Sequence, residues 1–321
     1  MTATPIEEEL RRPLRDDLTR ALRRLPELSP EAAPELTLTP LSGGITNRNF
    51  LVAGALDGSR YVVRLAGNDT HLLGISREVE HAATVAAAGV GVGPEVVAFL
   101  RPEGYLVTRF IEGRPVPEAE IRSSPALLAD VADALRRIHS GPPIPGLFVP
   151  FRIVEAYRAL ASARGVAIPP EYDLAQAIAR RIELACLTSA VELRPCHNDL
   201  LNANFIHDGA RIRIVDWEYA GMGDPFFDLG NFSINHELDR DGDAALLEAY
   251  AGEVRPSALA RLTLMRVLSD FREAMWGVLQ QGISTLEVDF VAYAAEHFDR
   301  LLVVAGGAAF ERALREAAEA S

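Results

Sequence analysis

His197-Asn198-Asp199-Leu200-Leu201-Asn202-Ala203-Asn204, followed closely by Arg211-Ile212-Arg213-Ile214-Val215-Asp216-Trp217-Glu218-Tyr219, holds the densest set of chemistry-bearing side chains in the chain. Phosphoryl transfer from a nucleotide needs a carboxylate that orients and deprotonates the attacking hydroxyl. It also needs a carboxylate and an amide oxygen to hold Mg2+ against the phosphates. Mg2+ is a hard cation and takes such oxygen ligands. Asp199 supplies the base, Asn204 the amide, and Asp216, at the end of a β-patterned run, the second carboxylate. A lone His-x-Asp or a lone Asp at a strand end is ordinarily structural. The three together, in this order, point to chemistry.

Working outward, the chain changes character on either side of this block. Upstream, residues 36–41, 48–53, 60–66, 95–100 and 104–110 read as strands, with Asp57-Gly58 as a hairpin turn. Residues 5–25 and 74–88 read as helices, the second ending at Gly89. Beyond Gly113, residues 125–139, 150–164 and 173–189 carry amphipathic helical patterns, residues 211–216 form a strand, and the pattern is helical from about residue 226 onward. The layout is α+β by element order: a small β-rich lobe over residues 1–111 and a larger helical lobe over 112–321.

Composition narrows the partners. The 321 residues are 49% apolar, carry a formal net charge of −13 and contain no lysine, so all 32 basic residues are arginine. An acidic surface repels phosphate backbones, which argues against nucleic acid and favours a cationic ligand. Any position that elsewhere uses Lys must use Arg here, and the two differ chemically. Two cysteines, Cys186 and Cys196, make no disulfide framework. Cys196 beside His197 suggests a thiol nucleophile only weakly, because neighbours on a strand point to opposite faces. No leader pattern or membrane-length apolar run is read, so the expectation is a cytoplasmic protein without a membrane partner. A homodimer is left open.

Asp199-x4-Asn204 has the spacing of a kinase catalytic loop. With Ile214-Val215-Asp216-Trp217-Glu218-Tyr219 and Ala220-Gly221-Met222-Gly223-Asp224-Pro225-Phe226-Phe227-Asp228-Leu229-Gly230, it resembles the choline/ethanolamine kinase branch of the aminoglycoside phosphotransferase superfamily. The resemblance covers roughly residues 38–300. It implies a protein-kinase-like two-lobe fold, with a small antiparallel β lobe containing one helix and a larger, mostly helical lobe. It implies Asp199 as catalytic base, Asn204 and Asp216 as metal ligands, and ATP and Mg2+ as cofactors. His197 and Asp228 read as scaffold, Asp228 accepting hydrogen bonds from catalytic-loop amides.

The same resemblance assigns the nucleotide side. Gly43, Gly44, Thr46 and Asn47 lie in a loop whose glycines let the backbone approach phosphates. Arg64 stands at the strand position where kinases usually place Lys, and a guanidinium binds phosphate bidentately. The family pattern places its helix carboxylate at Glu80. Glu78, two residues away, cannot share its helix face and reads as surface. Thr108, Phe110 and Ile111, in the connector after the last strand of the small lobe, are expected to bind adenine through backbone groups.

For the acceptor, an organic cation needs aromatic faces and a nearby carboxylate. Trp217, Glu218, Tyr219, Glu273 and Trp276 are the candidates. Core packing is the competing reading for Trp276, on an apolar helix. One departure stands out: choline kinases often carry a second aromatic on this late helix, where Glu273 stands here. The expected function is transfer of the γ-phosphate of MgATP to the hydroxyl of a small amino alcohol, choline or ethanolamine favoured. The alternatives are another alcohol, such as an aminoglycoside, thiamine or homoserine, and a non-catalytic nucleotide-binding pseudokinase.

Overall fold

Alternating burial builds the first sheet. The computed structural model describes residues 16–28, 35–41, 47–55, 57–67, 69–187 and 191–319. Gly43, Gly44 and Thr46 therefore lie outside the described residues, as does most of the expected leading helix. What is described of that helix, α1, covers residues 16–22. Strands β1 (Thr37–Leu41), β2 (Asn47–Ala53), β3 (Tyr61–Ala66), β4 (Val96–Leu100) and β5 (Tyr105–Arg109) form an antiparallel sheet in the order β1-β2-β3-β5-β4. Phe50 and Val52 of β2 and Tyr61, Val63 and Leu65 of β3 point to one face, as period-two alternation requires. There they bury Leu18, Ala21 and Leu22 of α1.

The chain forms two compact units. One comprises the described residues of 1–70 and 94–112; the other comprises 71–93 with those of 113–321. Helix α2 (Arg77–Gly89) belongs to the second unit. It starts three residues later than the sequence pattern suggests, because Ser76 caps it by accepting the Val79 N–H. Glu80 is buried on it and Glu78 is exposed.

The remaining elements of the second unit run β6 (Arg114–Pro115), α3 (Glu118–Ser123), α4 (Pro125–His139), α5 (Pro150–Ala163), α6 (Glu171–Leu187), β7 (Arg194–Cys196), β8 (Phe205–His207), β9 (Ile212–Ile214), β10 (Gly221–Gly223), α7 (Pro225–Asn235), α8 (Arg240–Ala251), α9 (Pro256–Ile283), α10 (Phe290–Ala305) and α11 (Ala308–Ala318). Strands β6, β8 and β9 form one small antiparallel sheet, and β7 pairs with β10. The strand expected over 211–216 is thus confined to Ile212–Ile214. Asp216 leaves it with φ at +68°, a left-handed conformation that cannot continue a strand.

Helix α9 is the axis of this unit. Pro256 occupies its first turn, where a missing N–H costs nothing. From Ala260 to Gln280 it is buried nearly throughout, packed by α5, α7, α10 and α11. A helix enclosed on all sides normally carries few charges, yet this one buries Arg261, Asp270, Arg272 and Glu273. Helices α7 and α9 meet closely at Gly230, where an added Cβ would sit 2.8 Å from the backbone N of Arg266. No helix among the described residues is long and apolar enough to cross a membrane.

Candidate active site

Asp199 sits in the loop after β7, and that loop is held by α7. Asp228 is fully buried and accepts the backbone N–H of His197 at 2.8 Å and of Asn198 at 2.6 Å. One turn on, Asn231 accepts the Leu200 N–H at 2.5 Å and donates to Ser269 of α9 at 2.9 Å. These two side chains, at i and i+3, share one helix face. They fix the backbone on both sides of Asp199 while Asn198 is held at φ +66°. His139 adds a third contact to Asp228, at 3.0 Å.

His197 is scaffold by its hydrogen bonds. Its Nδ1 accepts the Asp199 N–H at 3.2 Å, so its Nε2 carries the proton and donates to the Val215 carbonyl at 2.9 Å. Both ring nitrogens are occupied by backbone. Cys196, next to it, is fully buried, and burial pushes its thiol well above the usual range; burial likewise raises Cys186, to about 11. Neither is an activated nucleophile.

The two candidate metal ligands are brought together by a hairpin. Strands β8 and β9 pair Phe205 with Ile214, and just beyond them the Val215 N–H donates to the Asn204 carbonyl at 3.0 Å. Asn204 and Asp216 thus flank the same end of the ladder. The Asn204 amide N–H donates to the Asp199 carbonyl at 2.8 Å, which leaves its side-chain oxygen as the outward group.

The charges that act on Asp199 come from α9 and from the segment after β9. On α9, Arg272 Nη1 lies 3.2 Å from the Asp199 carboxylate and hydrogen-bonds Glu273 as well. Tyr293 of α10 donates to Glu273 at 2.8 Å. After β9, Glu218 lies 3.3 Å from Arg77 of α2, which also binds Glu80 at 2.6 Å. Burial pushes the Asp199 carboxyl up to about 7; Arg272 pulls it down, and Glu273, Asp216 and Glu218 push it further up. A carboxyl poised there takes a proton from an alcohol near neutral pH.

Aromatic residues close the site. The Arg272 guanidinium carbon lies 4.3 Å from the centroid of the Tyr219 ring, and the Trp276 indole N–H donates to the Tyr219 hydroxyl at 3.0 Å. Trp276 packs edge-on against Tyr293 and Phe290. The Trp217 indole is buried against His197, with its N–H given to the Ile214 carbonyl at 3.1 Å. It packs in the core there, apart from Tyr219 and Trp276, which belong to another cluster. Sequence reasoning missed Arg272, Asn231, Arg77 and Tyr293. The findable signal was polar side chains inside otherwise apolar helices, Asn231 in Pro225–Asn235 and Arg272 in Pro256–Ile283.

The nucleotide candidates divide between the units. Asn47, on β2, and Thr108, on β5, are buried in the first unit, and Arg64 lies on β3 opposite Asn49 and Leu106. The Phe110 N–H is already donated to the Arg60 carbonyl, so any adenine contact there must use other backbone groups. Glu80 belongs to the second unit.

Comparison with known proteins gives a consistent picture. Residues 37–263 match the family model described as phosphotransferase enzyme family. LicA of Haemophilus influenzae is 26% identical over 212 residues, 66% of this chain and 62% of that protein; the match therefore spans less than two thirds of that relative. Human ethanolamine kinase 2 is 26% identical over 322 residues, covering 90% of this chain and 81% of that one. The crystal structure of a choline/ethanolamine kinase family protein from Mesorhizobium loti superposes with a TM-score of 0.82 at 31% identity, over 94% of this chain and 98% of that chain.

Proposed function

The chain belongs to the phosphotransferase enzyme family, and on that premise we propose that it transfers the γ-phosphoryl group of ATP to the hydroxyl of a small amino alcohol. Ethanolamine and choline are the leading acceptors, on the strength of relatives named for them. The observation that carries the reading is the geometry of Asp199, a buried carboxyl in a loop fixed by Asp228 and Asn231, with Asn204 and Asp216 at one end of the β8–β9 ladder.

The acceptor oxygen attacks the γ-phosphorus, the bond to the β–γ bridging oxygen breaks, ADP leaves, and the hydroxyl proton passes to Asp199. Asn204 and Asp216 fit a hard divalent cation, since both offer oxygen and neither site includes a thiol or imidazole. Mg2+ held by these two side chains would neutralise phosphate charge. Glu218 and Glu273 supply negative charge for an ammonium group. On the nucleotide side, Arg64 and Asn47 are assigned to the phosphates, with the Gly43-Gly44 loop and Thr46, and the 108–111 backbone to adenine.

The test is ADP release from MgATP with a panel of amino alcohols, aminoglycosides, thiamine and homoserine. Acceptor-dependent release with ethanolamine or choline supports the reading. Release only with an unrelated alcohol replaces the acceptor. Measurable ATP binding with no transfer to any acceptor favours the pseudokinase alternative.

A further inference from the structure

An aromatic face beside a carboxylate is the kind of place that binds organic cations, and at Tyr219 and Glu273 a cation already stands: Trp276 donates to the Tyr219 hydroxyl and Tyr293 to Glu273, which holds that face and that carboxylate in place. The Arg272 guanidinium stacks 4.3 Å from the Tyr219 centroid, bonds Glu273 and Asp199 through Nη1, and is 1% exposed. Its Nε and Nη2 have no hydrogen-bond partner among the described residues. A buried guanidinium with two unmet donors is costly unless something else stabilises it. Here the aromatic face and the adjacent carboxylates do so. That is the environment a quaternary ammonium wants, since such a group has no donors to satisfy.

We infer that Arg272 is a tethered occupant of the cation cage and the residue that decides which ammonium the acceptor site admits. A guanidinium and a trimethylammonium group match in heavy-atom count and charge, so the two compete for one face of Tyr219. An acceptor with N–H donors is recognised differently. It pairs with the carboxylates of Glu218 and Glu273 by charge-assisted hydrogen bonds and needs no aromatic face. The site therefore selects a primary or secondary amine over a quaternary one. This inference rests on the amino-alcohol reading above and refines it.

The experiment follows kcat/KM along a methylation ladder: ethanolamine, its N-methyl and N,N-dimethyl derivatives, and choline. For the wild type, kcat/KM falls along the ladder, chiefly through KM, by about 10- to 100-fold from first to last. In Arg272→Met the ratio of choline to ethanolamine rises at least about tenfold, even though kcat falls for every acceptor because Asp199 loses its neighbour. Arg272→Lys retains a cation and keeps the wild-type ranking. Tetramethylammonium binding, measured by calorimetry, reads the cage without turnover: Arg272→Met binds it and the wild type does not. A flat ladder in the wild type, or tetramethylammonium binding to the wild type, overturns the inference. So does a folded Arg272→Met protein that neither binds tetramethylammonium nor changes the ratio. If Arg272→Met does not fold, the wild-type ladder and the wild-type tetramethylammonium measurement decide alone. If no amino alcohol turns over, the amino-alcohol reading fails, while the tetramethylammonium comparison still decides the occupancy of the cage.

Discussion

Asp199 is 9% exposed and lies 3.2 Å from a buried guanidinium, with Asp216, Glu218 and Glu273 adding negative charge around it. Asp199→Asn keeps the shape and removes the base, so turnover should fall about a thousandfold while ATP binding is retained, as steady-state kinetics and calorimetry would read. The same substitution should act on stability with the opposite sign. The folded carboxyl titrates near 7 against an ordinary 3.8, so the native state binds more protons than the unfolded chain between those values. Ionised Asp199 therefore destabilises the ligand-free protein above pH 7, and the penalty vanishes below about pH 4. Thermal unfolding of the ligand-free protein should show Asp199→Asn more stable than wild type at pH 8. The two should converge as pH falls towards 4. Equal melting at both pH values would contradict the burial argument.

Among the elements, α7 does the positioning. Asp228 satisfies two backbone N–H groups of the catalytic loop and is itself fully buried. Asp228→Asn turns one acceptor into a donor that faces another donor. It should cost about 2–4 kcal/mol in denaturant unfolding and lower kcat as the loop loosens. Gly230→Ala places a methyl against the α9 backbone, 2.8 Å from Arg266 N. It should cost about 1–3 kcal/mol, because neither helix can yield without moving Asn231 or Ser269. The family was legible in the segment around Asp199 because phosphoryl transfer fixes both residue types and spacing, and the family match spans residues 37–263. The packing of Trp217 was not legible, because adjacency to Asp216 says nothing about facing. Its indole packs against His197, whereas Tyr219, two residues on, faces Arg272. Strands β6, β7, β8 and β10, at two or three residues each, are too short to show a period.

For the whole molecule, the α+β kinase-like layout was readable from β patterning before residue 111 and helical patterning after it. The contents of the acceptor site were not. Arg272 is separated from Asp199 by 73 residues in sequence, and no local pattern links a charge inside an apolar helix to a loop that far away. MgATP binding, which ties the nucleotide to the folded state, should raise the melting temperature. At a ligand concentration of about 100 times Kd the gain is about 2.7 kcal/mol. Asp216→Asn should lose most of the Mg2+-dependent part of that gain. An unaltered Mg2+ dependence would remove Asp216 from the metal site.

Phosphorylation of a small amino alcohol with Asp199 as base can be followed by phosphorus NMR of a mixture of MgATP and ethanolamine, with the wild-type protein and with Asp199→Asn. A phosphomonoester resonance should grow in step with ADP for the wild type, and none should appear on the same timescale for the variant. A variant that forms the ester as fast as the wild type would contradict it, as would a wild type that binds MgATP yet forms no ester with ethanolamine or its methylated derivatives.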